Sequence, residues 1–536
     1  MNRHRLIRAL AALVVPVTLT ACGGAAPALL PVAPPIASAA PEPVVVPVAV
    51  VPVAEVPAPA PLPPEPEPPT LTFPEEPFRA ALPKAGAPRS LQQPKLVTFR
   101  LKNGIEVFLV ERHELPTVTL DLVISGGQTT DAPGKPGTAS LCSALLDDGT
   151  EKLAKLAFEE ALADTASSVS SWAGADQHGV GMSALSRHLD ATLALWADTL
   201  LHPGLRQEDH DRNVQQLIAS LAQQVGSPAA LGGRLYGRVF YGESHPLGQV
   251  TTAASARTIT REDCVAFAKE RLAPEGARLF VVGDVTRRQL EQALGARLGA
   301  WQGRATPGAA LPAPTPTTAR VVFVDVPGAA QSQLYVAHVG PARKAPDYHP
   351  TLLMTSILGG GFSSRINMNL REDKGWAYGA RGGLRYLPAF STFAASSSVR
   401  ADVTAPAVAE LFKEITAMKS GTRPLTDEEL TREVNGLVRG LPGRFSTGGQ
   451  IISSFRELVY YGLPLDTWTS FQKQVGKVKR GDVELAAKTH LHPEDARVLV
   501  VGDGAKVLGP LRELLAAGTL GAGELIVMDP EGRLAP

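Results

Sequence analysis

Two octapeptides in distant parts of the chain, Ala277-Arg-Leu-Phe-Val-Val-Gly-Asp284 and Ala496-Arg-Val-Leu-Val-Val-Gly-Asp503, are identical at six of eight positions. Each is a strand-like apolar run stopped by Gly-Asp, and each closes a segment in which strand patterns give way to helix patterns. Agreement at equivalent points of two similarly ordered segments is the mark of an internal duplication. The fold must therefore be built twice. A Pro-rich break, Thr306 to Thr318, separates the two copies.

In the first copy Val97–Leu101, Glu106–Val110 and Val118–Ser125 show β-branched residues and partial two-residue alternation, with Asn103-Gly104 as a hairpin turn. Helical patterns follow at 138–147, 153–164, 186–202 and 207–225, then His245-Pro-Leu-Gly248, a helix Arg261–Arg271 and the closing strand Ala277–Val282. The second copy repeats the order: strands at Val321–Val326 and Gln333–His338, helices at Pro350–Leu358 and Ser363–Asp373, a strand pair within Gly383–Arg400, and helices from Ala405 and Thr426. Strands followed by helices packed on them describe an α+β fold of two homologous domains, each a mostly antiparallel sheet against helices. The expected boundaries are 93–305 and 319–520, with 306–318 as linker and 521–536 as a tail.

Residues 1–22 place Arg3, Arg5 and Arg8 ahead of an apolar run too short to span a membrane, which reads as an export signal. Its ending, Leu19-Thr-Ala-Cys22, resembles the bacterial lipobox, implying lipidation of Cys22; Gly23 and Gly24 follow in place of a retention Asp, pointing to the outer membrane, facing the periplasm. Residues 23–92 are dominated by Pro, Ala and Val and cannot bury a core, so an extended tether is expected. Lys+Arg and Asp+Glu both total 52, which leaves no basic field for nucleic acid. Cys142 and Cys264 have no paired spacing that suggests a disulfide framework, and each reads singly as a small buried apolar residue.

The stretch Gly359-Gly-Gly-Phe-Ser-Ser-Arg-Ile-Asn-Met-Asn-Leu-Arg-Glu-Asp-Lys-Gly-Trp-Ala-Tyr378 looks like a working site. Ser363 or Ser364 is placed to cap a helix, Ile366, Leu370 and the stem of Arg371 share one stripe, and Gly375 suits the left-handed residue that ends it. Arg371 and Tyr378 would then face one pocket.

From Lys95 to Gly504 both copies resemble the pitrilysin or insulinase group of zinc metallopeptidases, especially the short two-domain members similar to mitochondrial processing peptidase. The resemblance implies a clam-shell half-chamber. It also implies His-x-x-Glu-His on a helix of the first domain, two imidazoles holding zinc and the Glu acting as general base, with a later Glu as third ligand. The matching stretch, Gly137-Thr-Ala-Ser-Leu-Cys-Ser-Ala-Leu-Leu-Asp-Asp-Gly-Thr150, has Ser140 and Ala144 at the ligand positions and Ser143 at the base; the third-ligand position, two turns before Pro228, is Ser220. Hydroxyls and a methyl do not make a stable zinc site, so no metal is expected in this chain. A serine nucleophile at Ser140 or Ser143 has no His and Asp pattern to support it. Asp176 and His178, in Ala175-Asp-Gln-His-Gly179, resemble by position the family's substrate edge strand and are expected to be solvated or to contact peptide.

The second copy departs less. Arg371 and Tyr378 match the family's Arg and Tyr, seven residues apart after a Gly-rich turn, that bind the scissile carbonyl; Gly359, Gly360 and Gly361 belong to that substrate-binding turn. The implied function is the non-catalytic subunit of a heterodimeric zinc peptidase. It would supply Arg371 and Tyr378 in trans to a zinc-bearing paralogous chain, and take extended peptides by strand addition. The alternative is a catalytically inert scaffold or peptide-binding protein of the same fold.

Overall fold

The computed structural model describes residue 86, residues 90–308 and residues 310–534. The export signal, Cys22 and nearly all of the tether lie outside the described residues. Leu91 and Leu96, where the tether meets the fold, pack on the core of the second half, and Gln93 donates to the Leu465 carbonyl (2.8 Å).

The described residues form two six-stranded sheets. The first comprises β1 (Val97–Arg100), β2 (Glu106–Glu111), β3 (Thr117–Ser125), β4 (Ser168–Ala173), β5 (Gln177–Leu185) and β6 (Arg278–Gly283), in the order β1-β2-β6-β3-β5-β4. The second comprises β7 (Val321–Asp325), β8 (Gln331–Gly340), β9 (Ala377–Tyr386), β10 (Ser391–Arg400), β11 (Arg497–Gly502) and β12 (Leu525–Met528), in the order β12-β7-β11-β8-β10-β9. The duplicated octapeptides supply β6 and β11. Each runs parallel to one neighbour (β2, β7) and antiparallel to the other (β3, β8), with its apolar residues buried on both faces. Both sheets are mostly antiparallel, as expected of the α+β class.

Three readings need correction. The strand Ala277–Val282 does not end the first half, because a capped helix, Arg287–Leu298, follows it and buries Leu290, Leu294 and Leu298. Residues read as a tail contain β12, which pairs parallel with β7. Cys142 and Cys264, read singly, are joined by a disulfide, both fully buried, with Cα atoms 4.8 Å apart. The bond links the helices Thr138–Leu146 and Arg261–Arg271 across 122 residues, a closure that no local spacing announces.

Each half lends a helix to the other half's sheet. Leu231, Leu235 and Val239 of the helix Pro228–Phe240 pack on Val322, Val324, Leu499 and Val501 of the second sheet. Reciprocally, the helix Gly448–Tyr461 lies against β3 and β6 of the first sheet. There Arg456 pairs with Asp121 (2.9 Å) and stacks on Trp172, whose indole N–H also donates to Asp121 (2.9 Å). These crossings cover part of each sheet with a helix from the other half and fix the halves against one another.

Candidate functional site

The Gly-rich stretch is built into the second half by close packing and one buried charge pair. The helix Tyr348–Thr355 runs on into a π turn, Ser356–Gly360. A side chain on Gly359 would fall 2.2 Å from the Gly382 nitrogen on β9, so only glycine lets turn and strand touch. Arg365 is buried and forms a two-pronged pair with Glu429 (2.8 Å to each oxygen), and it donates further to the carbonyls of Arg423 and Pro424 (2.8 and 3.0 Å). Burial alone would raise the Glu429 pKa, but the Arg365 guanidinium and the Thr426 backbone N–H pull it down to about 2. Asn367 completes the frame, donating to Phe362 O (2.7 Å) and accepting from the Ala380 N–H (3.0 Å). Sequence reasoning missed Arg365 and Asn367; a lone Arg next to a helix cap carries no signal that its partner lies 64 residues on.

The expected single helix over Ser363–Asp373 is instead one α turn, Arg365–Asn367, continued by a π turn, Met368–Asp373. Ser364 stands at the N-cap, but its hydroxyl donates to Gly361 O (2.6 Å) and caps no amide. Side-chain periodicity does not distinguish an i+4 from an i+5 turn over so few residues. Gly375 is left-handed (φ 64°), as expected, and returns the chain to β9.

Arg371 sits on the π turn, half-exposed, over the Phe362 ring (4.6 Å) and beside Glu372 (3.2 Å). Tyr378 begins β9. Simple alternation with buried Ala380 and Gly382 would turn it inward, but Ala380 pairs with Ser397 and Ala377 with Val399, so Tyr378 and Gly379 together oppose Ser398. This bulge turns the phenol outward, to 92 % exposure. Arg371 and Tyr378 thus occupy the two arms of one tight turn, with no hydrogen bond between them among the described residues.

In the first half Ser140 and Ala144 are exposed on the helix Thr138–Leu146, and Ser143, one turn on from Ser140, is buried with its hydroxyl unpartnered. Ser220 lies on the neighbouring helix Gln207–Val225 and accepts from Gln224 (3.3 Å). Leu141 and Val214 bind the two helices together. The geometry of a two-helix site is present, but three hydroxyls and a methyl do not fit zinc.

His178 corrects another expectation. It belongs to β5, one strand in from the edge strand β4, and is fully buried against Phe267 with neither ring nitrogen hydrogen-bonded. Burial pushes its pKa down to about 4, so the ring is neutral. Asp176 accepts both contacts of the Tyr460 hydroxyl (2.9 and 3.0 Å) and ties the halves together.

Known proteins agree with this architecture. The family model described as insulinase (peptidase family M16) matches residues 106–235, and that described as peptidase M16 inactive domain matches 258–437. The chain belongs to the insulinase family of peptidases and lacks its zinc-binding motif. It is 22 % identical over 421 residues to the non-peptidase homolog YmxG of Helicobacter pylori, covering 75 % of this chain and 93 % of that one. It is 23 % identical over 339 residues to an uncharacterized zinc protease of Rickettsia bellii, covering 62 % and 80 %. Its fold matches the crystal structure of a peptidase M16 inactive domain from Pseudomonas fluorescens, with TM-score 0.70 and 24 % identity over 76 % of this chain and 98 % of that one.

Proposed function

We propose that this chain is the non-catalytic subunit of a two-chain zinc peptidase acting on extended peptides. The observation that carries the reading is a built and outward-facing Arg371–Tyr378 turn in a chain whose four metal-site positions are Ser and Ala. Within seventeen residues the turn also exposes Phe362 (58 %) and Met368 (40 %), an apolar surface suited to a partner. A paralogous chain with its own His-x-x-Glu-His motif would supply zinc and the general base. Arg371 then offers fixed donors to the scissile carbonyl, and the Tyr378 hydroxyl donates to the oxyanion as it forms.

Export and anchoring through Cys22 to the outer membrane belong to the same reading. The Cys142–Cys264 disulfide supports an oxidising compartment such as the periplasm. The test is a complex reconstituted with a zinc-bearing family member. Tyr378→Phe should lower kcat by roughly ten- to a thousandfold with assembly intact, and Arg371→Ala should slow cleavage with part of the loss in KM. Full activity in both variants would favour the inert peptide-binding scaffold.

A further inference from the structure

One cleft joins the two halves beside the degenerate metal site. It has a volume of about 560 Å³, in the range that encloses a small ligand or a short peptide segment. The helices Gln207–Val225 and Pro228–Phe240 wall one side, and Arg385 of β9 reaches in from the other. Gln224, hydrogen-bonded to Ser220, lines it, so the cleft adjoins the third-ligand position.

Its charge is one-sided. None of the residues lining it carries a carboxylate, while Arg234 and Arg385 both do line it. Arg385 makes no hydrogen bond or ion pair among the described residues. Its cross-strand neighbour is Thr392, which accepts from Tyr236 (3.3 Å), so Arg385 stands on the sheet face that the helix Pro228–Phe240 covers. Arg381, four residues back along the same face of β9, likewise makes no hydrogen bond or ion pair among the described residues. Among the described residues Arg234 hydrogen-bonds only to the backbone carbonyls of Leu221 and Pro530, and its buried Nε has no hydrogen-bond partner; burial lowers its pKa, and the charge of Glu531 offsets only part of that. The nearby carboxylates are occupied outside the cleft: Glu531 by Arg533 (2.7 Å) and Glu243 by Arg238 (2.6 Å). Around the two guanidiniums stand the neutral polar groups of Gln128, Gln224, Tyr236 and Thr251.

Two guanidiniums lining one cavity whose wall carries no carboxylate form a ready receptor for a ligand's negative charge, with the partly buried Arg234 gaining most from it. We infer that this cleft binds a carboxylate of the peptide, either an acidic side chain or the free C-terminus, through Arg385 and Arg234. The inference rests on the peptide-binding reading above and names its substrate class: acidic or C-terminal segments, with cationic ones disfavoured.

The test uses the full chain alone, by calorimetry, with three nine-residue peptides of one extended sequence. One has a central Glu and an amidated end, one a central Gln and an amidated end, and one a central Gln with a free C-terminal carboxylate. At least one carboxylate-bearing peptide should bind about tenfold more tightly than the neutral one, and which of them does so identifies the source. Arg385→Gln, at an exposed position, should bring the three within about twofold, and added salt should weaken only the preferred peptide. Equal binding of all three, no binding, or a preference that survives Arg385→Gln would overturn the inference. Because no zinc-bearing partner is present, its failure leaves the Tyr378 test standing, and the reverse also holds.

Discussion

In each half a strand, β3 or β8, leads into a helix at the site, Thr138–Leu146 in the first and Tyr348–Thr355 in the second, and the two helices have been put to different uses. The first is regular, carries Ser140, Ser143 and Ala144, and is fastened from behind by the Cys142–Cys264 disulfide. The second ends in a π turn, meets β9 at a glycine–glycine contact, and leads to a turn held by Arg365–Glu429 that displays Arg371 and Tyr378. The first helix is stapled by a disulfide although it lacks the zinc motif, whereas in the second half a buried charge pair holds a turn that displays two polar side chains. The fold alone requires neither π turns nor an outward bulge, and among the described residues both occur beside Arg371 and Tyr378 in the second half.

The contrast is sharpest at Arg365. Arg365→Leu leaves the Glu429 carboxylate partly buried without its partner and should cost about 3–5 kcal/mol in urea unfolding, while the double change with Glu429→Leu should recover much of it. A loss below about 1 kcal/mol would mean the charge pair does not hold the turn. The Glu429 pKa is lower folded (about 2) than its ordinary 4.5, so the pair's contribution is full above pH 4.5 and fades as pH falls toward 2. Glu429→Gln should flatten the acid limb in that window.

In the first half, replacing both Cys142 and Cys264 by Ser should cost about 2–5 kcal/mol. Hydrogen exchange should then quicken in the helices Thr138–Leu146 and Arg261–Arg271 and leave β9 and its turn unchanged. Equal loosening of both halves would show that they do not hold their sites independently.

A smaller effect is expected at His178. Its folded pKa, about 4, lies below the ordinary 6.5, so the unfolded chain takes up a proton first and stability falls as pH drops through that window. His178→Leu should remove this slope, measured as the difference in unfolding midpoint between pH 7 and 5. Smallest of all, Tyr378→Phe should change stability by less than about 0.5 kcal/mol, since the phenol is exposed. A larger loss would make Tyr378 part of the fold and remove it from the site.

Much of the architecture was legible because it rests on local signals. Apolar alternation and the Asn103-Gly104 turn place β1, β2 and β3, and the octapeptide repeat reveals two halves. Less visible were β4 and β5, where Ser168-Val-Ser-Ser-Trp-Ala173 and Gln177-His-Gly-Val-Gly-Met182 carry too few β-branched residues to signal strands. The helix Pro228–Phe240 hides behind Pro228 and the Gly232-Gly233 pair, though Ser227 caps it and its apolar face is the bridge to the second sheet. At the site, residue types at motif positions could be read, including Arg371, Tyr378 and the four substitutions. What could not be read depends on contacts between distant residues: the disulfide, the Arg365–Glu429 pair, the burial of His178, and the register shift that turns Tyr378 outward.

The division of labour between the halves is tested most directly by metal analysis and peptide cleavage on the full chain purified alone. The account predicts well below one zinc per chain and no cleavage of unfolded peptides, because Ser140, Ser143, Ala144 and Ser220 offer neither ligands nor base. One tightly bound zinc per chain, whose removal abolishes a peptidase activity of the chain by itself, would contradict it.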